Sequence, residues 1–131
     1  MELYATAADQ IDLTVRDVRA LARAALSVVQ PEDPVPEPLP VAIRGLARAT
    51  EALAAYLQTS GDPDQTRRLA LEAARMASAL LEEYEDLASN LGVNALVDQI
   101  HSSAVDLMGG TGMDRGAALR ALQEATGRAS W

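Results

Sequence analysis

The chain of 131 residues contains no cysteine, no phenylalanine and no lysine. Without cysteine, disulfides, thiolate catalysis and cysteine-based zinc sites are excluded, and the composition is compatible with a reducing compartment. Without phenylalanine, the core has to be built from leucine, valine, isoleucine and alanine, which suit close packing of helices. The length is that of one domain with one core. We therefore expect a single domain over residues 1–131.

Positive charge is also scarce, because the formal net charge is −8 and the pI is about 4.5. Such an acidic domain lacks the electrostatic footprint that nucleic acids or anionic lipids require. No segment approaches the roughly 18 consecutive apolar residues of a membrane span, and the first residues do not resemble a signal peptide. We expect a cytoplasmic segment that does not itself insert into lipid, either free-standing or cut from a longer membrane protein.

Strand signals are missing as well, since no run of alternating β-branched or aromatic residues is bounded by turn residues. Apolar residues instead recur three or four positions apart, as in amphipathic helices. Helices are predicted at about 3–30, 41–59, 62–91, 94–108 and 114–126. The proline-rich strap at 31–40 cannot be helical and is predicted to be a long crossover. The expected fold class is all-α: an antiparallel four-helix bundle with a short fifth helix at the C-terminus.

The predicted helix over 62–91 organises the bundle. Its apolar stripe consists of Leu69, Ala73, Met76, Leu80, Tyr84, Leu87 and Leu91. Asp62 is its expected N-cap, Pro63 takes the first helical position, and Gln65 returns the capping bond. Gly92 is expected to end the helix, because glycine accepts the left-handed conformation. The first helix is predicted to face the core with a similar stripe: Ala7, Ile11, Val15, Val18, Ala22, Ala25 and Val29.

The densest acidic cluster contains Glu82, Glu83 and Asp86 in an E-E-x-x-D pattern. With Asp98 these are the candidate metal ligands, if the chain has any, because helical carboxylates can bind magnesium for phosphate chemistry. The pattern looks like half of the acidic signature of MazG-type nucleotide pyrophosphohydrolases. The next helix lacks the second half, a Glu-x-x-Asp, so a solvated charged face is the plainer interpretation. We predict no catalytic residue, metal site or cofactor.

The only histidine, His101, stands three residues after Asp98, like one arm of a di-iron bundle. Such a site needs two Glu-x-x-His arms, so we interpret His101 as a surface or partly buried residue at a helix or subunit contact. The Gly109-Gly110-Thr111-Gly112 run could offer amides to an anion, but a helix-helix turn explains it. The serines share one histidine and no G-x-S-x-G elbow, so nucleophilic catalysis has no support.

Asp106 and Asp114 are predicted to be structural. A carboxylate in the last turn of a helix opposes the helix dipole. Asp106 is therefore expected to meet Arg115, Arg120 or the free amides of the last helix, and so to hold that helix in place. Asp114 is the expected N-cap of the last helix, which Gly127 ends.

The run from Gln99 to Met108, with Thr111 to Arg115 and Ala118-Leu119 after it, resembles a known family. It is similar to the C-terminal soluble region of bacterial fusaric acid resistance-like (FUSC) membrane proteins, the aromatic acid exporter family. The proline-rich strap and the helix after it fit that region too. Four positions depart from the family pattern: His101 replaces an arginine, Gly109-Gly110 replace a basic-small pair, and Ala117 replaces an acidic residue. These departures predict a looser last helix.

The resemblance implies a cytoplasmic helical domain attached to the transmembrane helices of an efflux protein, and it transfers no catalytic or substrate residue. Three functions are therefore open. The leading one is a non-enzymatic domain that serves assembly, protein interaction or regulation, with its own transmembrane region or a second copy as partner. The others are a free-standing oligomerisation bundle and a magnesium-dependent nucleotide pyrophosphohydrolase.

Overall fold

The structure, a computed structural model, describes residues 2–28, 37–59, 61–83 and 91–127, with side chains in the first segment described over 8–26. These segments contain five α-helices and no strand: α1 Glu2–Val28, α2 Pro38–Thr59, α3 Pro63–Glu83, α4 Leu91–Gly110 and α5 Arg115–Thr126. The predicted all-α bundle with a short last helix is confirmed. Residues 31–36 of the predicted crossover lie outside the described segments.

Small residues hold α2 and α3 together. A Cβ added to Gly45 of α2 would lie 3.3 Å from Cβ of Ala73 in α3, so the two backbones approach closely. The largest packing contacts of the bundle are between α2 and α3, followed by those between α1 and α4 and between α3 and α4. The buried apolar residues of α2 and α3 are Leu39, Ala42, Leu46, Ala49, Leu53, Ala70, Ala73, Ala74, Ala77 and Leu80. Alanine at so many contacts brings the helices close at little cost in side-chain entropy.

Helix α4 is the centre of the bundle, since it packs against all four other helices. Its buried residues occupy more than one face: Val93, Leu96, Val97, Ile100, His101, Ser103, Ala104, Val105, Leu107 and Met108. A helix that is apolar nearly all round has to be enclosed by its neighbours. Helix α5 covers α3 and the end of α4 with Ala118 and Leu122.

The predicted helix over 62–91 is wrong at its C-terminal end. Helix α3 ends at Glu83 in the described segments, and Leu91 and Gly92 begin α4 instead of closing α3. The apolar stripe of α4 starts at Val93, so burial determines the helix here and overrides the local stop signal. The start was correct: Pro63 opens α3, and Asp62 Oδ1 accepts a 2.9 Å bond from the Asp64 amide.

The predicted non-helical strap is too long by three residues, because α2 begins at Pro38 and includes Leu39 and Pro40. Prolines in the first turn of a helix remove no intrahelical hydrogen bond. Leu39 is fully buried, so its packing favours the early start.

Helix α1 is rotated relative to its predicted orientation. Four residues of the predicted inward stripe are exposed, with Ile11, Val15 and Val18 exposed by 61%, 42% and 58% and Ala22 beside them, whereas Ala25 packs against the core. The residues that turn towards the bundle precede the stripe by one position each: Gln10, Thr14, Asp17 and Leu21. One residue corresponds to about 100° of helix rotation. The contact surface of α4 explains the difference, since polar Gln99 and Asp106 face α1 there and interact with Asp17.

Residues of α1 and α2 approach α4 closely at Gly110. A Cβ at this position would lie 2.8 Å from both Gln10 Cδ of α1 and Leu53 Cδ2 of α2, whereas a Cβ at neighbouring Gly109 would meet nothing within 4 Å. The two adjacent glycines therefore have different roles. Gly110 permits the approach of α1 and α2, and Gly109 carries no packing constraint.

We expect Gly110→Ala to lower the free energy of unfolding by about 1 to 3 kcal/mol, because the ends of the Gln10 and Leu53 side chains have to shift to admit the added methyl group. The matched variant Gly109→Ala should raise it by about 0.5 kcal/mol through helix propensity. Urea unfolding followed by circular dichroism measures both changes. Equal effects of the two substitutions would contradict the close packing at Gly110.

Candidate functional site

An apolar groove lies between α1 and α2. One part, with a cavity of about 230 Å³, is lined by Thr14, Asp17, Val18, Leu21, Ile43, Leu46, Ala47, Thr50, Ser103 and Leu107. A second part of about 170 Å³ continues along the same two helices and is lined by Gln10, Ile11, Thr14, Val15, Thr50, Leu53, Ala54 and Leu57. Thr14 and Thr50 belong to both, so the two cavities form one groove that α4 closes at its base.

Few polar groups of this groove are available to a ligand. The Thr14 hydroxyl donates to the Gln10 carbonyl at 2.8 Å, and the Thr50 hydroxyl donates to the Leu46 carbonyl at 2.9 Å. Ser103 Oγ accepts a 3.2 Å bond from the Gln99 amide. The groove therefore presents mainly methyl and methylene groups, the surface that another apolar helix or an apolar ligand would cover.

Asp17 is the ionisable group of the groove. Partial burial raises the pKa of its carboxyl from 3.8 to about 7, and a hydrogen bond to Asp106 together with the charge of that carboxylate adds to the rise. A hydrogen bond with Gln99 acts in the opposite direction. Below pH 7 the protonated Asp17 can donate to Asp106, which relieves the repulsion between two carboxylates.

Asp106 also faces the last helix. Its Oδ1 lies 3.8 Å from Arg115 NH1, at the edge of ion-pairing distance, and the Arg115 side chain is 74% exposed. Such an exposed pair contributes little to stability. Asp106 therefore stands between Asp17 of α1 and Arg115 of α5, and its role in holding α5 stays a prediction.

The cap predicted for α5 is formed. The Asp114 side chain accepts a 3.1 Å bond from the Gly116 amide, and Gly127 closes the helix in the left-handed conformation, with φ of 70°. Asp114 thus caps the helix although Ala117 offers no carboxylate to return the bond.

The candidate metal ligands are not brought together in the described residues. Glu82 and Glu83 are exposed in the last turn of α3, Asp98 is exposed on α4, and Asp86 lies outside the described segments. No group of three or more metal-ligating side chains occurs in residues 2–28, 37–59, 61–83 and 91–127. The positions of Glu82, Glu83 and Asp98 are those of charges on a solvated surface.

His101 is fully buried between α4 and α3, which corrects the expectation of a surface or partly buried residue. Its Nε2 lies 2.8 Å from Ser78 Oγ and 3.3 Å from the Ala74 carbonyl oxygen. This pair was not predicted from the sequence. The feature that could have indicated it is that both residues lie on the inner faces of two antiparallel helices. A serine and a histidine at this distance resemble a nucleophile and its base, but Ser78 is only 4% and His101 only 1% exposed, so no substrate can reach them.

The glycine-rich turn uses its amides internally. The Thr111 and Gly112 amides donate to the Met108 and Gly109 carbonyls at 3.1 and 3.0 Å, and the Met113 amide donates to the Met108 carbonyl at 3.4 Å. Arg67 of α3, also missed from the sequence, donates from Nε to Thr111 Oγ at 2.8 Å. These contacts satisfy the end of α4 and leave no set of free amides for an anion.

The raised pKa of Asp17 predicts a specific pH dependence of stability. A carboxyl that is more basic in the folded state stabilises the fold below pH 4, and this contribution is lost as the pH rises from about 4 to about 7. We expect the loss to be about 1 to 2 kcal/mol, because solvent still reaches the half-buried group. Asp17→Asn should remove this component and make the chain more stable than the wild type at pH 7.

Urea unfolding at pH 5 and pH 7 tests this expectation. Asp98→Asn is the matched control, because Asp98 is exposed on α4. The wild-type chain should lose free energy of unfolding between pH 5 and pH 7. The expectation fails if Asp17→Asn and Asp98→Asn change this loss equally.

Comparisons with known proteins add no family to this picture, because no family model, curated protein or solved structure matches the chain. None of the described helices has both the length and the apolar content that crossing a membrane requires.

Proposed function

We propose that this chain is a non-enzymatic helical interaction domain that serves the assembly or regulation of a transporter-like membrane protein. The observation that carries the proposal is the unpartnered apolar face of α1, where Ile11, Val15 and Val18 are exposed in one row. A monomeric domain gains nothing from leaving three β-branched side chains in water along one helix, whereas a docking surface requires them.

The groove beside this row supports the same function. Ile11, Val15 and Val18 form its α1 wall, and Leu57 on the α2 wall is 39% exposed. A helix laid along the groove would bury both walls at once, as in helix-in-groove recognition.

The membrane context of the proposal rests on the resemblance to FUSC proteins. The residues of that motif have structural positions in this chain: Ile100 and Ala104 are buried in the core, Gly112 has a positive φ of 95°, and Asp114 caps α5. A motif that packs and caps is compatible with a shared architecture and carries no chemistry. We propose that the domain lies on the cytoplasmic side and contacts its own transmembrane region or a second copy.

Cell fractionation tests the membrane context. An antibody against this domain should detect a product larger than 13.9 kDa that stays with the membrane pellet after an alkaline carbonate wash. Detection of a 13.9 kDa species in the soluble fraction only would exclude the transporter context and favour the free-standing oligomerisation bundle.

The docking role of α1 predicts the effect of a charge in the exposed row. Val18→Asp should reduce the assembled form of the complete product, seen by size-exclusion chromatography of detergent extracts, because binding would bury an unpaired carboxylate. The melting temperature should change little, since Val18 is 58% exposed. Leu91→Asp, at an 86% exposed leucine on α4, is the matched control and should leave assembly intact. Identical assembly of both variants and the wild type would argue against this role.

A further inference from the structure

The exposed face of α1 has the spacing of a helix-helix seam. Ile11, Val15, Val18 and Ala22 follow one another at four, three and four residues, and all four are exposed. This is the rhythm with which a and d positions of a coiled coil alternate. The partner that such a narrow seam fits is one more α-helix.

The charges beside the seam determine the direction of that helix. Asp12 and Arg19 are seven residues apart, so they lie on the same flank two turns from each other. Both are exposed, and within the described segments neither lies within ion-pairing distance of an opposite charge. Asp9 extends the acidic end of α1, and Arg23 extends the basic end.

A second copy of α1 matches this pattern in one orientation. If two α1 helices run antiparallel, Asp12 of each faces Arg19 of the other, and the acidic end of one helix lies along the basic end of its neighbour. A parallel arrangement would instead put the flank with Asp12 and Arg19 on opposite sides of the seam in the two copies, so that Arg19 would face the uncharged Thr14 and neither charge would find an opposite partner.

We infer that two copies of this chain associate through an antiparallel pairing of their α1 helices, with the apolar seam buried and Asp12 and Arg19 paired across it. This inference rests on the proposed interaction function and names its partner. The interface is isologous, as in most two-fold dimers.

The register follows from the seam. Val15 of one copy packs against Val18 of the second, and Ile11 packs against Ala22, so the two-fold axis passes between residues 16 and 17. Thr14 and Leu21 stay turned towards their own bundle and line the groove. The second helix lies at the mouth of the groove, where it also covers part of the α2 wall.

Disulfide cross-linking tests the orientation of the two helices, and no native thiol interferes because the chain has no cysteine. Ile11→Cys and Ala22→Cys are prepared separately, then oxidised alone and as an equimolar mixture. In the antiparallel register only the mixture forms a disulfide dimer. In a dimer of Ile11→Cys alone, the two cysteines would lie eleven residues apart along the seam, which is about 16 Å. A disulfide spans less than about 7 Å between Cα atoms.

A charge exchange tests the pairing of Asp12 with Arg19. Asp12→Arg and Arg19→Asp should each weaken the homodimer about tenfold in analytical ultracentrifugation, because two symmetry-related attractions become repulsions. An equimolar mixture of the two variants should regain the wild-type affinity. Asp98→Arg and Arg48→Asp, at exposed residues of α4 and α2, change the net charge equally and should have no effect.

The outcomes distinguish a failure of the inferred α1–α1 dimer from a failure of the proposed interaction function. Disulfide dimers of each cysteine variant alone would overturn the antiparallel arrangement, as would unchanged dimerisation of the charge variants. A chain that stays monomeric and does not cross-link would overturn self-association. If Val18→Asp still reduced assembly of the complete product in that case, the interaction function would stand with a different partner.

Discussion

The contact of Asp17 in α1 with Asp106 in α4 determines the rotation of α1, and therefore which face of this helix is exposed to solvent. Helix α4 is enclosed by the other helices, and where α1 crosses it the surface of α4 is polar. The partly buried carboxyl of Asp106 and amide of Gln99 gain hydrogen-bonding partners from the face of α1 that contains Asp17. The more apolar face of α1 is consequently turned by about 100° towards solvent. A local requirement for hydrogen bonds thus decides which face of α1 is exposed to solvent.

This arrangement supports the proposed interaction function. In the described segments the pair of Ser78 and His101 is enclosed, Glu82, Glu83 and Asp98 are exposed and form no metal-binding group, and Asp17 lies in the groove beside Asp106. The surface instead offers an apolar row and a groove next to it. Under the proposed function these features serve helix-to-helix recognition, and the order of charges along α1 would give that recognition a direction.

The elements of the fold could be predicted from the sequence because most of its signals are local. The cap at Asp62, the cap at Asp114 and the stop at Gly127 each act within one turn of helix, and apolar spacing identified the helices. The predicted helix end at Gly92 and the predicted non-helical conformation of Pro38 were wrong. In both places the local signal competes with the burial of a nearby residue, Val93 or Leu39, and that burial depends on neighbouring helices. The rotation of α1 was missed for a similar reason. The prediction placed the most apolar face of α1 in the core, but the polar surface of α4 contacts a different face of α1. The pairing of Ser78 with His101 could not be predicted either, because it depends on the relative position of two helices.

The rotation of α1 is the central claim, and thiol labelling measures it most directly because the chain has no cysteine of its own. Val18→Cys and Leu21→Cys are labelled with a water-soluble thiol reagent at concentrations low enough to keep the chain monomeric. Cysteine at the exposed position of Val18 should react at nearly the rate of a free thiol, and cysteine at Leu21, which packs against the core, should react much more slowly. The reverse order of the two rates would show that α1 turns its apolar row inwards, which would contradict this account.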